Sequence, residues 1–249
     1  MKVLQLGKFY PIRGGVEKVM ELLTEGLSAR GVECDMLCAS ADGIKDMHVI
    51  TLNAHGRIFV VPTLIKAAGT MIAPRMISWL RKYAACYDII HVHHPDPMAA
   101  LALRLSGFKG RVILHWHSDI LSQKLLLLFY KPLQNWLIRR AETIVGTTPV
   151  YLRESPHLAQ AQDKCTAVPI GIDALKPDPL KVKEIRDRFQ GKKIILTLGR
   201  LVPYKGFHFL IDAMAILPDG YHLVLGGTVL LEKISSAGLT RKDCRTRFR

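Results

Sequence analysis

Two loops and two histidine runs hold the residues of this sequence that could do chemistry. Gly199-Arg200-Leu-Val-Pro-Tyr204-Lys205-Gly206 follows a short apolar run and precedes an amphipathic one, so it reads as the loop of a strand–loop–helix unit. Arg200 offers a planar fork of donors and Lys205 a point charge, a pair suited to a diphosphate. Loop cations are ordinarily just solvated. Here the placement favours phosphate, because ligands of open α/β sheets gather at the C-terminal ends of strands. Gly14-Gly15-Val16-Glu17 occupies the same kind of junction. Its glycines let a ligand approach the backbone, and the helix start beyond supplies free N–H groups. The run is not GxGxxG, which disfavours dinucleotide binding. Taken alone, it reads equally well as a tight turn.

The histidines fall at the ends of two further strands. Asp88-Ile-Ile-His91-Val-His93-His94-Pro-Asp96 closes one, and His115-Trp-His117-Ser-Asp119 closes the other. Histidines two apart share a strand face. Both runs resemble hydrolase zinc-ligand sequences, so a metal has to be weighed. The first lacks the HxHxDH order, and no Cys/His set follows downstream, so no metal is expected. His91 and His115 are expected to pack within their strands. His93, His94 and His117, with Asp119 beyond, are expected to face a cleft as polar contacts to a sugar. The sequence contains no DxD, GxSxG or Walker loop.

Positioning these loops requires alternating strands and helices. Apolar runs at Val3–Gly7, Cys34–Ala39, Val49–Leu52, Ile58–Val61, Asp88–His93, Val112–Trp116, Thr143–Gly146 and Thr166–Val168 read as strands. Val16–Ala29, Pro97–Leu105 and Gln123–Arg140 have helical periodicity, and Leu64–Tyr83 is predicted helical with a break near Pro74. The pattern is that of βαβ units and a parallel sheet. The proline- and aspartate-containing stretch around Ile170–Pro179 reads as a linker, followed by a connecting helix at Leu180–Phe189. A second sheet starts with Lys193–Leu198, then a helix over Phe207–Leu217 and a strand at His222–Leu225. Beyond that the periodicity stops. Lys233, Arg241, Lys242, Arg245, Arg247 and Arg249 face a lone acid, Asp243.

Composition narrows the class. The 249 residues are 49% hydrophobic and 22% charged, which allows a core. The formal net charge is +14, pointing to an anionic partner surface. Recognition helices, zinc-finger spacing and RNA-binding aromatic patterns are lacking, so no nucleic-acid partner is expected. The five cysteines include no CxxC pair, which fits reduced thiols and a cytoplasmic protein. The N-terminal run broken by Lys8 and Pro11 reads as a strand and not a signal peptide. Basic residues such as Arg75, Arg81, Lys82, Lys109, Arg111, Arg139 and Arg140 fit solvated helix faces. They also fit peripheral docking on acidic lipid at the inner face of the plasma membrane.

The segments MKVLQLGKFYPIRGGVEKV, DIIHVHHPDP, ILHWHSDI, VPIGID and TLGRLVPYKG, in this order, resemble the family 4 glycosyltransferases of the GT-B fold. The likeness is to the bacterial mannosyltransferase-like enzymes of O-antigen and polysaccharide synthesis, and it covers about residues 1–230. It implies an α/β fold of GT-B type. A complete N-terminal Rossmann-like domain (1–170, acceptor side) and a linker with connecting helix (171–190) lead to an incomplete second Rossmann-like domain for the nucleotide sugar (191–231). A basic tail (232–249) follows. It further implies transfer of a hexose, mannose being one candidate, from a GDP- or UDP-linked sugar to a lipid-linked or glycan acceptor. Anomeric configuration would be retained, with no metal or other cofactor. Gly14 and Gly15 would approach the donor phosphates, and Arg200 and Lys205 would hold them. His117 would contact the transferred sugar, with Glu17, His93, His94 and Asp119 lining the cleft. The family's Glu-x7-Glu pair lies past residue 230 in its members. Glu17 and Glu25 have that spacing but sit on the first helix, so an impaired or non-catalytic chain is also expected. An epimerase of the same fold and a zinc hydrolase are the remaining readings.

Overall fold

The structure, a computed structural model, describes residues 1–67, 69–120, 124–172 and 174–227; of 124–126 only the backbone is described. The chain forms two units, Met1–Ile172 and a second that starts at Asp173. The expected basic tail at 232–249 lies outside the described residues.

The first unit alternates as its apolar runs demand. Strand β1 (Lys2–Tyr10) leads into helix α1 (Gly15–Ser28), then β2 (Glu33–Ser40), β3 (His48–Asn53) and β4 (Gly56–Val61). A short hairpin, β5 (Ile65–Ala67) and β6 (Thr70–Ile72), precedes α2 (Arg75–Tyr83). Next come β7 (Ile89–His94), α3 (Pro97–Ser106), β8 (Arg111–Trp116), α4 (Lys124–Arg140), β9 (Thr143–Gly146), α5 (Pro149–Glu154) and β10 (Cys165–Ala167).

The hairpin corrects the sequence expectation of a helix over Leu64–Tyr83. Only the part after Pro74 is helical. Gly69 at φ +79 forms the turn, and β-branched Ile65, Thr70 and Ile72 suit the pleated pair. The sequence also left α5 unassigned. Thr148 caps it, its side chain accepting from the Tyr151 amide, and Pro149 starts it.

Eight strands make one sheet in the order β10-β9-β8-β7-β1-β2-β4-β3, parallel except where β3 runs against β4. The chain steps outward from β1 through β2 and then returns to β7 on the other side of β1. The C-terminal ends of β1 and β7 therefore flank a topological switch point, where open α/β sheets hold ligands.

Period-two alternation divides the side chains between the faces. Leu4, Leu6, Leu37, Ile90, Val92, Leu114 and Trp116 belong to the large core that also takes in Leu80, Leu103 and Leu137 of α2, α3 and α4. On the opposite face, Met20 of α1 packs with Met36, Cys38, Ile58 and Val60, while Val3, Cys34 and Ile89 form a third cluster. That face also buries polar side chains, among them Gln5, His91, His93 and His115.

The second unit has helix α6 (Pro179–Arg188), then β11 (Lys193–Leu198), α7 (Phe207–Met214) and β12 (Tyr221–Gly226), with β11 and β12 parallel. Asp178 caps α6 by accepting from the Leu180 and Lys181 amides.

Candidate functional site

The histidine site is built by strand register. Gln5 on β1 lies opposite His91 on β7, and His93 on β7 lies opposite His115 on β8. His117, just past β8, is tied in by its amide, which donates to the His94 carbonyl at 3.2 Å. Four imidazoles thus form a stack: His91–His115 centroids are 5.3 Å apart, His93–His117 5.1 Å and His115–His117 4.0 Å. His93 Nε2 is 2.8 Å from Gln5 Oε1, and His93 Nδ1 is 2.9 Å from His117 Nε2.

Burial governs their ionisation. It pushes His91 down to about 3, and neighbouring His115 adds to the shift. His115 falls to about 4 by burial. His117 falls to about 2, first through burial and then through His115 and Lys8. His93 is lowered well below its ordinary value, again chiefly by burial. All four are neutral at pH 7, with one N–H and one lone pair each.

The sequence predicts that His93 and His94 face a cleft at the C-terminal edge of their strand. The structure buries both, at 0% and 1% exposure, on opposite faces of the sheet. His94 follows Ile90 and Val92 into the large core side. There it stacks on Trp116, with centroids 3.8 Å apart and planes 3° apart, near Tyr130. The structure therefore brings His93 to His115 and His117 and separates His94 from them.

Three of the imidazoles, His91, His93 and His115, have ligand atoms within 4.8 Å of one another. A tetrahedral metal needs in-plane lone pairs converging on one point. The His91 and His93 rings lie within 13° and 23° of parallel to that of His115, so their lone pairs run side by side. Both nitrogens of His93 are already engaged. In this arrangement the three do not converge as a ligand set.

Gly14 is the N-cap of α1, in extended backbone, and Gly15 begins the helix. A Cβ on Gly15 would meet open space, while one on Gly14 would come 2.4 Å from Glu17 Oε2. The buried Glu17 carboxylate therefore folds back over Gly14. Asp119 is already occupied. It accepts from Trp116 Nε1 at 2.8 Å and Ser155 Oγ at 2.9 Å, and its amide donates to Tyr151 Oη at 2.6 Å. These bonds tie the end of β8 to α5.

Two residues escaped the sequence reading. Gln5 looked like one more strand residue, and only its polarity within an apolar run marked it. Lys8 sits at φ +56, with its amide donating to Asp96 Oδ2 at 2.5 Å and its Nζ to the Pro95 carbonyl. Its charge helps depress His93, His94 and His117. Asp96 caps α3 through the Ala99 amide at 3.0 Å, and burial raises its carboxyl.

In the second unit, Arg200 and Lys205 lie together on the exposed loop after β11. Arg200 Nη2 donates to Tyr204 Oη at 3.1 Å, and Lys205 Nζ stands 5.8 Å from the Tyr204 ring. Gly206 at φ +69 turns the chain into α7. Both cations thus occupy the C-terminal edge of a parallel strand.

Comparison with known proteins adds a family. The profile of Glycosyltransferase Family 4 matches residues 13–174. O-antigen chain mannosyltransferase C of Escherichia coli is 30% identical over 217 residues, covering 86% of this chain and 57% of that protein. D-rhamnosyltransferase WbpZ of Pseudomonas aeruginosa is 29% identical over 220 residues, with coverages of 86% and 56%. The chain spans little more than half the length of these relatives. Among solved structures, HepE of Anabaena in complex with UDP and glucose matches with TM-score 0.65 at 20% identity, covering 92% of this chain and 62% of that one. Sucrose-phosphate synthase of Thermosynechococcus elongatus matches with TM-score 0.66 at 21% identity, over 91% and 62%. These likenesses support the α/β fold.

Proposed function

The chain belongs to Glycosyltransferase Family 4, and from that premise we propose that it serves hexosyl transfer from a nucleotide-diphosphate sugar to a glycan or lipid-linked acceptor. Mannose is the first candidate, because the Escherichia coli relative is named a mannosyltransferase. The observation that carries the reading is the pairing of Arg200 and Lys205 on one loop at the end of β11.

In this reading Arg200 and Lys205 hold the donor diphosphate. As the bond from anomeric carbon to phosphate oxygen breaks, negative charge grows on the diphosphate. The two cations stabilise it, an effect worth roughly 10²–10³-fold per group. The acceptor oxygen bonds to the anomeric carbon on the face the diphosphate leaves, and its proton passes to a phosphate oxygen. Configuration is retained and the chemistry calls for no metal. His117, neutral and half-buried at the switch point, contacts the transferred sugar. The exposed Arg81 and Lys82 of α2 and Arg139 at the α4 end would dock the protein on acidic lipid at the inner face of the plasma membrane. Among the described residues no helix is long and apolar enough to cross a membrane.

The alternative reading is donor binding without turnover. Titration calorimetry with GDP and UDP, alongside radiolabelled transfer from GDP- and UDP-sugars to membrane extracts, separates the two. Binding with transfer supports the first and binding alone the second. Absence of both sinks the diphosphate assignment.

A further inference from the structure

We propose that Gln5 and His93 are positioning residues that lock His117 in the Nε2–H tautomer, leaving its Nδ1 as a hydrogen-bond acceptor for a sugar hydroxyl. The role toward sugar rests on the glycosyl-transfer reading; the tautomer does not.

The direction of the relay follows from one amide. Gln5 Nε2 lies 3.7 Å from the buried Cys34 Sγ, and Gln5 Oε1 lies 2.8 Å from His93 Nε2. A carbonyl oxygen only accepts, so His93 Nε2 must carry the proton. Burial keeps the His93 ring neutral, so its Nδ1 holds a lone pair. That lone pair faces His117 Nε2 at 2.9 Å, and the contact is a hydrogen bond only if His117 Nε2 donates. His117 is neutral too, so its remaining nitrogen, Nδ1, has no hydrogen. No group among the described residues bonds to that Nδ1. The tautomer of a histidine is set by the bond its other nitrogen makes, and here that bond is set two residues away.

The geometry suits this role. Gln5 and His93 are fully buried, and they sit on β1 and β7, the two strands flanking the switch point. Both are fixed by sheet register and not by loop conformation. A sugar hydroxyl presented to His117 would therefore meet an acceptor whose orientation is already set. The reverse amide orientation would send every proton the other way and present a donor instead.

The test is long-range ¹⁵N–¹H correlation spectroscopy on the full ¹⁵N-histidine-labelled chain at pH 7.5, with His117 assigned through His117→Gln. The expected wild-type spectrum has a protonated His117 Nε2 and an unprotonated Nδ1. A protonated Nδ1 overturns the proposal without any variant. In Gln5→Leu the anchor is gone, and both His117 tautomers should appear. An unchanged single tautomer there overturns the role of Gln5. Gln5→Glu keeps an acceptor oxygen facing His93 Nε2 and should restore the wild-type His117 pattern, which mere repacking would not do. In the transfer assay Gln5→Leu should lower kcat about tenfold, with donor KM nearly unchanged. If the spectra agree but wild-type chain transfers no sugar, the relay stands and the glycosyl-transfer reading fails. If transfer occurs with the opposite tautomer, the relay fails alone.

Discussion

Mild acid should destabilise the first unit, because it stores neutral histidines. The unfolded chain takes up protons near the ordinary histidine value of about 6.5. Folded His91 and His94 resist until about pH 3. Between those values the unfolded state binds more protons, so stability is complete above pH 6.5 and falls as pH drops. At pH 5.5 each such group costs about 1.3 kcal/mol relative to pH 7.5, from 1.36 kcal/mol per unit of separation. His94 stands apart from the stack, and His91 speaks for the stack as a minimum, so the expected loss is at least about 2.6 kcal/mol. The other stacked histidines titrate as a coupled group and add to it. Asp96, whose carboxyl is raised by burial, works in the opposite sense. Urea midpoints at pH 7.5, 6.5 and 5.5 measure the effect. His94→Phe, which keeps a flat ring against Trp116, should remove close to one proton from the slope. Equal stability at pH 7.5 and 5.5, or an unaltered slope in His94→Phe, would refute the reasoning.

Other outcomes follow from single residues. Arg200→Ala and Lys205→Ala should each lower kcat/KM for transfer by roughly 10²–10³-fold while leaving the urea midpoint of the first unit unchanged; a loss under threefold would deny them the diphosphate. Asp35→Ala should cost about 2–3 kcal/mol. That carboxylate accepts from the Arg57 amide and guanidinium and, at 2.7 Å, from Tyr87 Oη, and thermal unfolding reads the loss. Gly56→Ala should cost about 1–3 kcal/mol. Its Cβ would lie 2.8 Å from Ser28 Cβ and 3.2 Å from the Cys34 carbonyl. Co-sedimentation should favour acidic over neutral vesicles at low salt; equal partition counts against lipid docking.

The strands and most helices were legible because their determinants are local. Apolar runs such as Val3–Leu6 and Val112–Leu114 suit a sheet buried on both faces, and Asp96-Pro97 announces a helix start. The loops carrying Gly14, Gly15, Arg200 and Lys205 could be placed at strand ends for the same reason. The hairpin at Ile65–Ile72 is not legible because its eight residues satisfy helical spacing as well as strand spacing, and its partner bonds decide between them.

Residue types and spacing alone settled the alternation of strand and helix and the gathering of glycines and cations at strand ends, since both follow from chain-local hydrogen bonding and hydrophobic period. Which histidines meet required the folded sheet. Adjacent His93 and His94 point to opposite faces, and Gln5, 88 residues from His93, completes the relay. Cross-strand register is a property of the assembled sheet, and so are the low polarity that keeps these rings neutral and the single proton direction that follows from it.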